Sequence, residues 1–279
     1  MMRSVTPPLM KYLSLILVSL VFASCGTVMK SDTPPAPTVS AEVKKGATVT
    51  EVFGDVSDRV VATEVAQGDL KGYFVKPKNL ENAPGIVMIH EWWGLNETIR
   101  EMARVLASEG YQVFAIDLYG EVATTPEKAR EFSASVRANP EAAVAKMKLA
   151  TAYLRNTAKA PKVASLGWCF GGQQSLNLSL AEKLDATVIY YGNLVTDKTK
   201  LASISQPVLG IFGETDTSVK VESVREFEKA LTELKIDKSI NVYPNVGHAF
   251  ANPTGNNFSQ PATLDAWGKT VKFLEENLK

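Results

Sequence analysis

The chain has 279 residues, 45% of them hydrophobic, which suits one large globular domain with a substantial core. Thirty Lys and Arg balance thirty Asp and Glu. With no long-range field to attract nucleic acid or an anionic surface, recognition must come from a local pocket, and nucleic-acid binding is excluded as a function class.

In chain order, Arg3 and Lys11 precede an apolar run at 12–22, followed by Ala23-Ser24-Cys25-Gly26. The run is too short to span a bilayer, and the small residues before Cys25 suit signal-peptidase cleavage. The pattern resembles a bacterial lipoprotein signal. It implies a signal peptide at 1–24, lipid on Cys25 as the first mature residue, and a membrane-anchored protein exported to the bacterial envelope, facing the periplasm or the cell surface. Residues 25–55, with Pro34-Pro35-Ala36-Pro37, read as a flexible linker, leaving 56–279 as the folded domain. With Cys25 lipidated, Cys169 would be the lone thiol of the mature chain and could form no internal disulfide.

Loose alternation over 59–66, a turn at Gln67-Gly68-Asp69 and a second run at 70–75 predict a hairpin. The run 86–89 is apolar throughout, as in a parallel strand buried on both faces. After a loop at 90–95, Asn96 caps a helix whose Ile99, Met102, Ala103 and Leu106 share one face, and Gly110 ends it. Further strands are predicted at 111–116, 162–166, 187–190, 208–212 and 239–243. Helices are predicted at 126–157, after Gly171, at 221–234 and at 262–278. This alternation implies an α/β fold: a mostly parallel sheet with helices on both faces and a ligand site beyond the carboxyl ends of the strands.

Gly167-Trp168-Cys169-Phe170-Gly171 follows a strand and opens a helix, the nucleophile-elbow pattern with cysteine at its apex. A free thiol is only about 3% ionised at pH 7, so such a nucleophile needs a base. Of two histidines, His248 follows the last strand, while Asp216 follows the 208–212 strand and can orient an imidazole. Asp216 also reads as a cap for the helix near 221, and Glu91 as an ordinary loop acid.

Three ordered segments then carry a specific resemblance: His90-Glu91-Trp92-Trp93-Gly94-Leu95-Asn96, Gly167-Trp168-Cys169-Phe170-Gly171-Gly172, and the surroundings of Asp216 and His248. Over residues 60–279 the chain resembles the dienelactone hydrolase family of α/β-hydrolases, which Asp117-Leu118-Tyr119-Gly120 and Tyr190-Tyr191-Gly192 also match. The resemblance implies a Cys169–His248–Asp216 triad, a Glu91 that influences thiol ionisation, and an oxyanion hole from the backbone N–H groups of Trp92 and Phe170. His90 is left as a supporting residue. Trp92, Trp93, Phe170 and Tyr191 are expected as pocket walls. Asn252 stands where family members acting on dienelactone carry a carboxylate-clamping arginine, and Arg130 is the candidate to supply that charge instead. The implied activity is hydrolysis of a small ester or lactone by a monomer, with no cofactor and no metal. The alternatives are acyl transfer on the same triad or a non-catalytic surface-binding module.

Overall fold

In the computed structural model, which describes residues 46–279, the apolar runs become one sheet. β1 (Val60–Gln67) and β2 (Leu70–Pro77) form the expected antiparallel hairpin, with Gln67 opposite Leu70. β3 (Gly85–Ile89), β4 (Gln112–Ile116), β5 (Val163–Trp168), β6 (Ala186–Tyr190), β7 (Val208–Gly213) and β8 (Lys238–Tyr243) run parallel to one another. The lateral order is β1-β2-β4-β3-β5-β6-β7-β8, with β2 antiparallel to β4.

The helices are α1 (Val49–Phe53), α2 (Glu97–Ser108), α3 (Pro126–Ala138), α4 (Pro140–Ala152), α5 (Phe170–Ala181), α6 (Lys198–Leu201), α7 (Val221–Glu233) and α8 (Gln260–Leu278). Alternate residues of β3 serve opposite faces. Ile86 and Met88 pack with Met102 and Leu106 of α2, and Val87 and Ile89 pack with Met147 of α4. Each such fully buried aliphatic side chain contributes roughly 1.5–3 kcal/mol. A third cluster joins Phe212 of β7 to Val224, Phe227 and Leu231 of α7. No helix among the described residues is long and apolar enough to cross a membrane.

Two expectations are corrected. The helix expected at 126–157 breaks into α3, α4 and a wider turn at Tyr153–Thr157. Pro140 has no N–H to continue the α3 hydrogen-bond ladder and its ring crowds the preceding turn; Asn139 instead leaves helical geometry and caps α4 with its side chain. The linker expected to reach residue 55 ends earlier. Thr48 and Glu51 form a reciprocal capping box on α1, and Val49, Val52 and Phe53 are buried, with the Phe53 ring 5.4 Å from that of Trp267 in α8. The expected signal peptide, Cys25 and most of the linker lie outside the described residues.

Candidate active site

Four strand ends converge. β3 leads into Glu91, β5 into Cys169, β7 into Asp216, and β8 into the loop that carries His248. Cys169 sits between β5 and α5 with φ 55° and ψ −117°, a left-handed conformation that costs a non-glycine residue roughly 1–3 kcal/mol unless its surroundings enforce it. They do: the Cys169 N–H donates to the Tyr190 carbonyl at 2.9 Å, and the Cys169 carbonyl accepts from the Gln173 N–H at 3.2 Å. The turn is so tight that a Cβ on Gly167 would lie 2.2 Å from the Gly171 carbonyl oxygen, and one on Gly171 would lie 2.2 Å from that of Ile89. Only glycine admits this contact, which presses the start of α5 against the end of β3.

His248 bridges the elbow to the acid. Its Nε2 lies 3.0 Å from Cys169 Sγ, and its Nδ1 lies 2.8 Å from Asp216 Oδ2. The Asp216 side chain is fully buried, and its Oδ1 accepts from the N–H groups of Ser218 (2.7 Å) and Val219 (3.0 Å). Burial alone would raise the Asp216 pKa, but the His248 contact and the two backbone donors outweigh it and hold the carboxyl below its ordinary value. For His248, burial works against the charged form, yet the hydrogen bonds to Asp216 and Cys169, with their charges, push it up to about 10. The Tyr191 ring stands edge-on to the imidazole, centroids 5.2 Å apart, and Asn257 Nδ2 donates to the His248 carbonyl at 2.9 Å.

Glu91 is 6% exposed, and its Oε2 accepts from Asn252 Nδ2 at 2.6 Å. Its Oε1 is buried without a partner among the described residues, and no hydrogen bond joins Glu91 to Cys169. Burial raises the Glu91 pKa to about 7, although nearby His248 and the Asn252 amide both pull it down. His90 is fully buried; its Nδ1 lies 2.6 Å from the Glu91 carbonyl and its Nε2 3.3 Å from the Leu118 N–H, a pairing that suits a neutral ring with the proton on Nδ1. Desolvation holds its pKa down.

Of these groups Glu91, Cys169 and His248 open onto a cleft of about 710 Å³, lined also by Trp92, Trp93, Asn252, Thr254, Asn256 and Asn257. The Phe170 N–H, at the first position of α5, has no intrahelical acceptor, and that of Trp92 has none among the described residues.

The model of the dienelactone hydrolase family matches residues 70–278. The chain belongs to the dienelactone hydrolase family. Protein usf of Aquifex pyrophilus is 32% identical over 219 residues, which cover 75% of this chain and 94% of that protein. A protein of Saccharolobus solfataricus described as "Putative carboxymethylenebutenolidase" is 25% identical over 242 residues, 74% of this chain and 93% of its own. The crystal structure of a dienelactone hydrolase-like promiscuous phosphotriesterase from metagenomic libraries has the same fold. Its TM-score is 0.73 at 23% identity, over 79% of this chain and all of that one. As a dienelactone hydrolase family member with an α/β-hydrolase fold, the chain is a carboxylic ester or lactone hydrolase.

Within this family member some expected wall residues lie elsewhere. Tyr191 is wholly buried beneath His248, and Phe170 is buried against His90 and Tyr119, so neither walls the cleft. Arg130 is not among the cleft residues: it sits 5.9 Å from the Trp92 ring centre and pairs with Glu127 on an exposed face of α3. Asn252 does line the cleft, but it spends its amide donor on Glu91 and its Oδ1 on the Thr254 N–H and hydroxyl. Trp93 lines the cleft against Trp92, centroids 4.9 Å apart. Asn257 and Ser218 were not anticipated. No sequence signal marks a loop amide nine residues after a histidine as that histidine's backbone support.

Proposed function

We propose that the protein hydrolyses its ester or lactone substrate through a Cys169 acyl-thioester. The observation that carries this reading is the continuous Asp216–His248–Cys169 hydrogen-bonded relay, 2.8 and 3.0 Å, at the floor of the cleft. Cys169 Sγ attacks the carbonyl carbon, its proton held by His248 Nε2. The tetrahedral oxyanion lies between the N–H groups of Trp92 and Phe170. As the C–O bond breaks, His248 gives its proton to the departing alkoxide. Water, losing a proton to His248, then attacks the thioester; the C–S bond breaks, His248 reprotonates the sulfur, and the acid leaves.

Asp216 keeps the imidazole oriented and stabilises its charged form. In this scheme Glu91 acts on the thiol only at a distance, because Asn252 holds it as a buried carboxyl that titrates near neutrality. Every group in the relay comes from one chain, so the proposed chemistry needs no residue from a second subunit. Export and anchoring through lipid on Cys25 remain part of the proposal, supported by the charged, apolar and small-residue order of residues 1–25.

The test is trapping. Rapid quenching with an activated ester followed by peptide mass analysis should find the acyl mass on the peptide containing Cys169. An acyl group on a different residue, or Cys169→Ala with undiminished turnover, would refute the assignment. Intact mass of the mature protein checks the anchor: an unmodified N-terminus downstream of Cys25 would reject it.

A further inference from the structure

The alkoxide expelled from the tetrahedral carbon on Cys169 receives its proton from His248, so the surface around that imidazole meets the alcohol half of the ester. Two clefts border His248. Besides the cleft that holds Cys169, a second of about 440 Å³ is lined by Thr215, Thr217, Asn245, Ser259 and Asn257. His248 and Asn257 border both.

Beside Val246 and the buried Phe258, the side chains that line the second cleft around His248 are neutral hydroxyls and amides. Apart from His248 the second cleft has no ionisable side chain; the first has in addition only the Cys169 thiol and Glu91, whose carboxyl is buried and tied to Asn252. Neither cleft contains a lysine or an arginine to match a carboxylate or phosphate. Hydroxyls and primary amides carry donors and acceptors together, the complement of neutral hydroxyl groups. Asn257 uses its Nδ2 on the His248 carbonyl and keeps its Oδ1 for another partner, while Thr217 and Asn256 make no side-chain hydrogen bond among the described residues. An alkyl alcohol would desolvate these hydroxyls and amides without pairing with them, whereas an alcohol with several hydroxyls pairs with them. Trp92 and Trp93, beside Glu91 in the first cleft, offer apolar surface to the acyl half.

We propose that the alcohol half of the substrate is a neutral polyol of sugar type, so that the enzyme removes an O-acyl group from a polyhydroxylated carrier. The inference rests on the thioester hydrolase reading above. The bond broken is the acyl C–O bond; the freed polyol takes its proton from His248, and water later releases the acid from Cys169.

The experiment compares kcat/KM for methyl 6-O-acetylglucoside and for 2-methoxyethyl acetate, which share the acyl group and have primary leaving alcohols with similar β-oxygen substitution. A preference of at least tenfold for the sugar ester is expected. In Thr217→Val and in Ser259→Ala, each made separately and checked by circular dichroism, that preference should fall, and in the double variant it should fall at least fivefold. If 2-methoxyethyl acetate is cleaved but the wild-type ratio is near one, or the ratio is unmoved in the folded double variant, the polyol assignment is overturned while the hydrolase reading stands. If neither ester is cleaved while an activated ester still acylates Cys169, the polyol assignment alone is overturned; if no acyl group reaches Cys169 either, the thioester reading fails and this inference fails with it.

Discussion

The two sides of the cleft are built on different principles. At the elbow, Cys169 is fixed by backbone contacts: a left-handed φ, two flanking hydrogen bonds, and glycines packed so closely that a single methyl would collide with a carbonyl. Across from it, beyond His248, residues 252–257 form a mostly polar loop, exposed at Thr254, Asn256 and Asn257, in which Asn252 hydrogen-bonds to Glu91 and Thr254, and Asn257 to the His248 carbonyl. The contrast separates roles. Reaction geometry is placed by sterics that tolerate no substitution, and recognition is placed by side chains that can change without disturbing the sheet.

The comparison breaks most directly at the nucleophile. Cys169→Ala is expected to lower kcat by at least about a thousandfold, since groups acting as one unit fail together. Its melting temperature should stay near that of the wild type, and steady-state kinetics with calorimetry read both. Gly171→Ala tests the steric side. Its new methyl would lie 2.2 Å from the Ile89 carbonyl oxygen, so a loss of about 3 kcal/mol or more in urea unfolding is expected.

Glu91 sharpens the contrast through pH. Its folded pKa of about 7 lies above its ordinary 4.5. The stability it contributes is therefore complete below pH 4.5 and is lost as pH rises through 7. The shift is equivalent to about 3 kcal/mol. Glu91→Gln removes this titration, so the stability of the variant minus that of the wild type should increase by about that amount between pH 4 and pH 8. A difference independent of pH would contradict the burial argument.

On the loop side effects should be smaller. Asn252→Ala removes the donor that lowers the Glu91 pKa, so that pKa should rise above 7 and any kinetic limb due to Glu91 should move with it. A loss of about tenfold in kcat/KM is expected, the scale of one hydrogen bond to a buried polar group. Arg130→Gln is the smallest change. The side chain is exposed, bound to Glu127 and absent from the cleft, so kcat/KM for a carboxylated ester should change by less than about twofold.

Much of this was legible because its physics is local. Alternating and continuous apolar runs marked the hairpin and the parallel strands, and the glycine pattern around Cys169 marked the elbow. The order of Cys169, Asp216 and His248 along the chain, each after a strand, was enough to nominate them together. Short elements were harder to read. α1 has too few residues to show a period, and its burial depends on Trp267, more than two hundred residues away. The break at Pro140 was visible in the sequence but hidden by a helical pattern continuing on both sides.

The sequence by itself determined the fold class, the elbow and the residues able to form a nucleophile, a base and an acid, because these depend on near-neighbour spacing and on backbone sterics. Only the tertiary structure decided that Asn252 holds Glu91, that Tyr191 and Phe170 pack beneath the site rather than beside a substrate, and that Arg130 lies outside the cleft. Those outcomes depend on where separate strand ends and loops meet in space, and a hydrogen bond between residues 91 and 252 leaves no periodic trace in the chain.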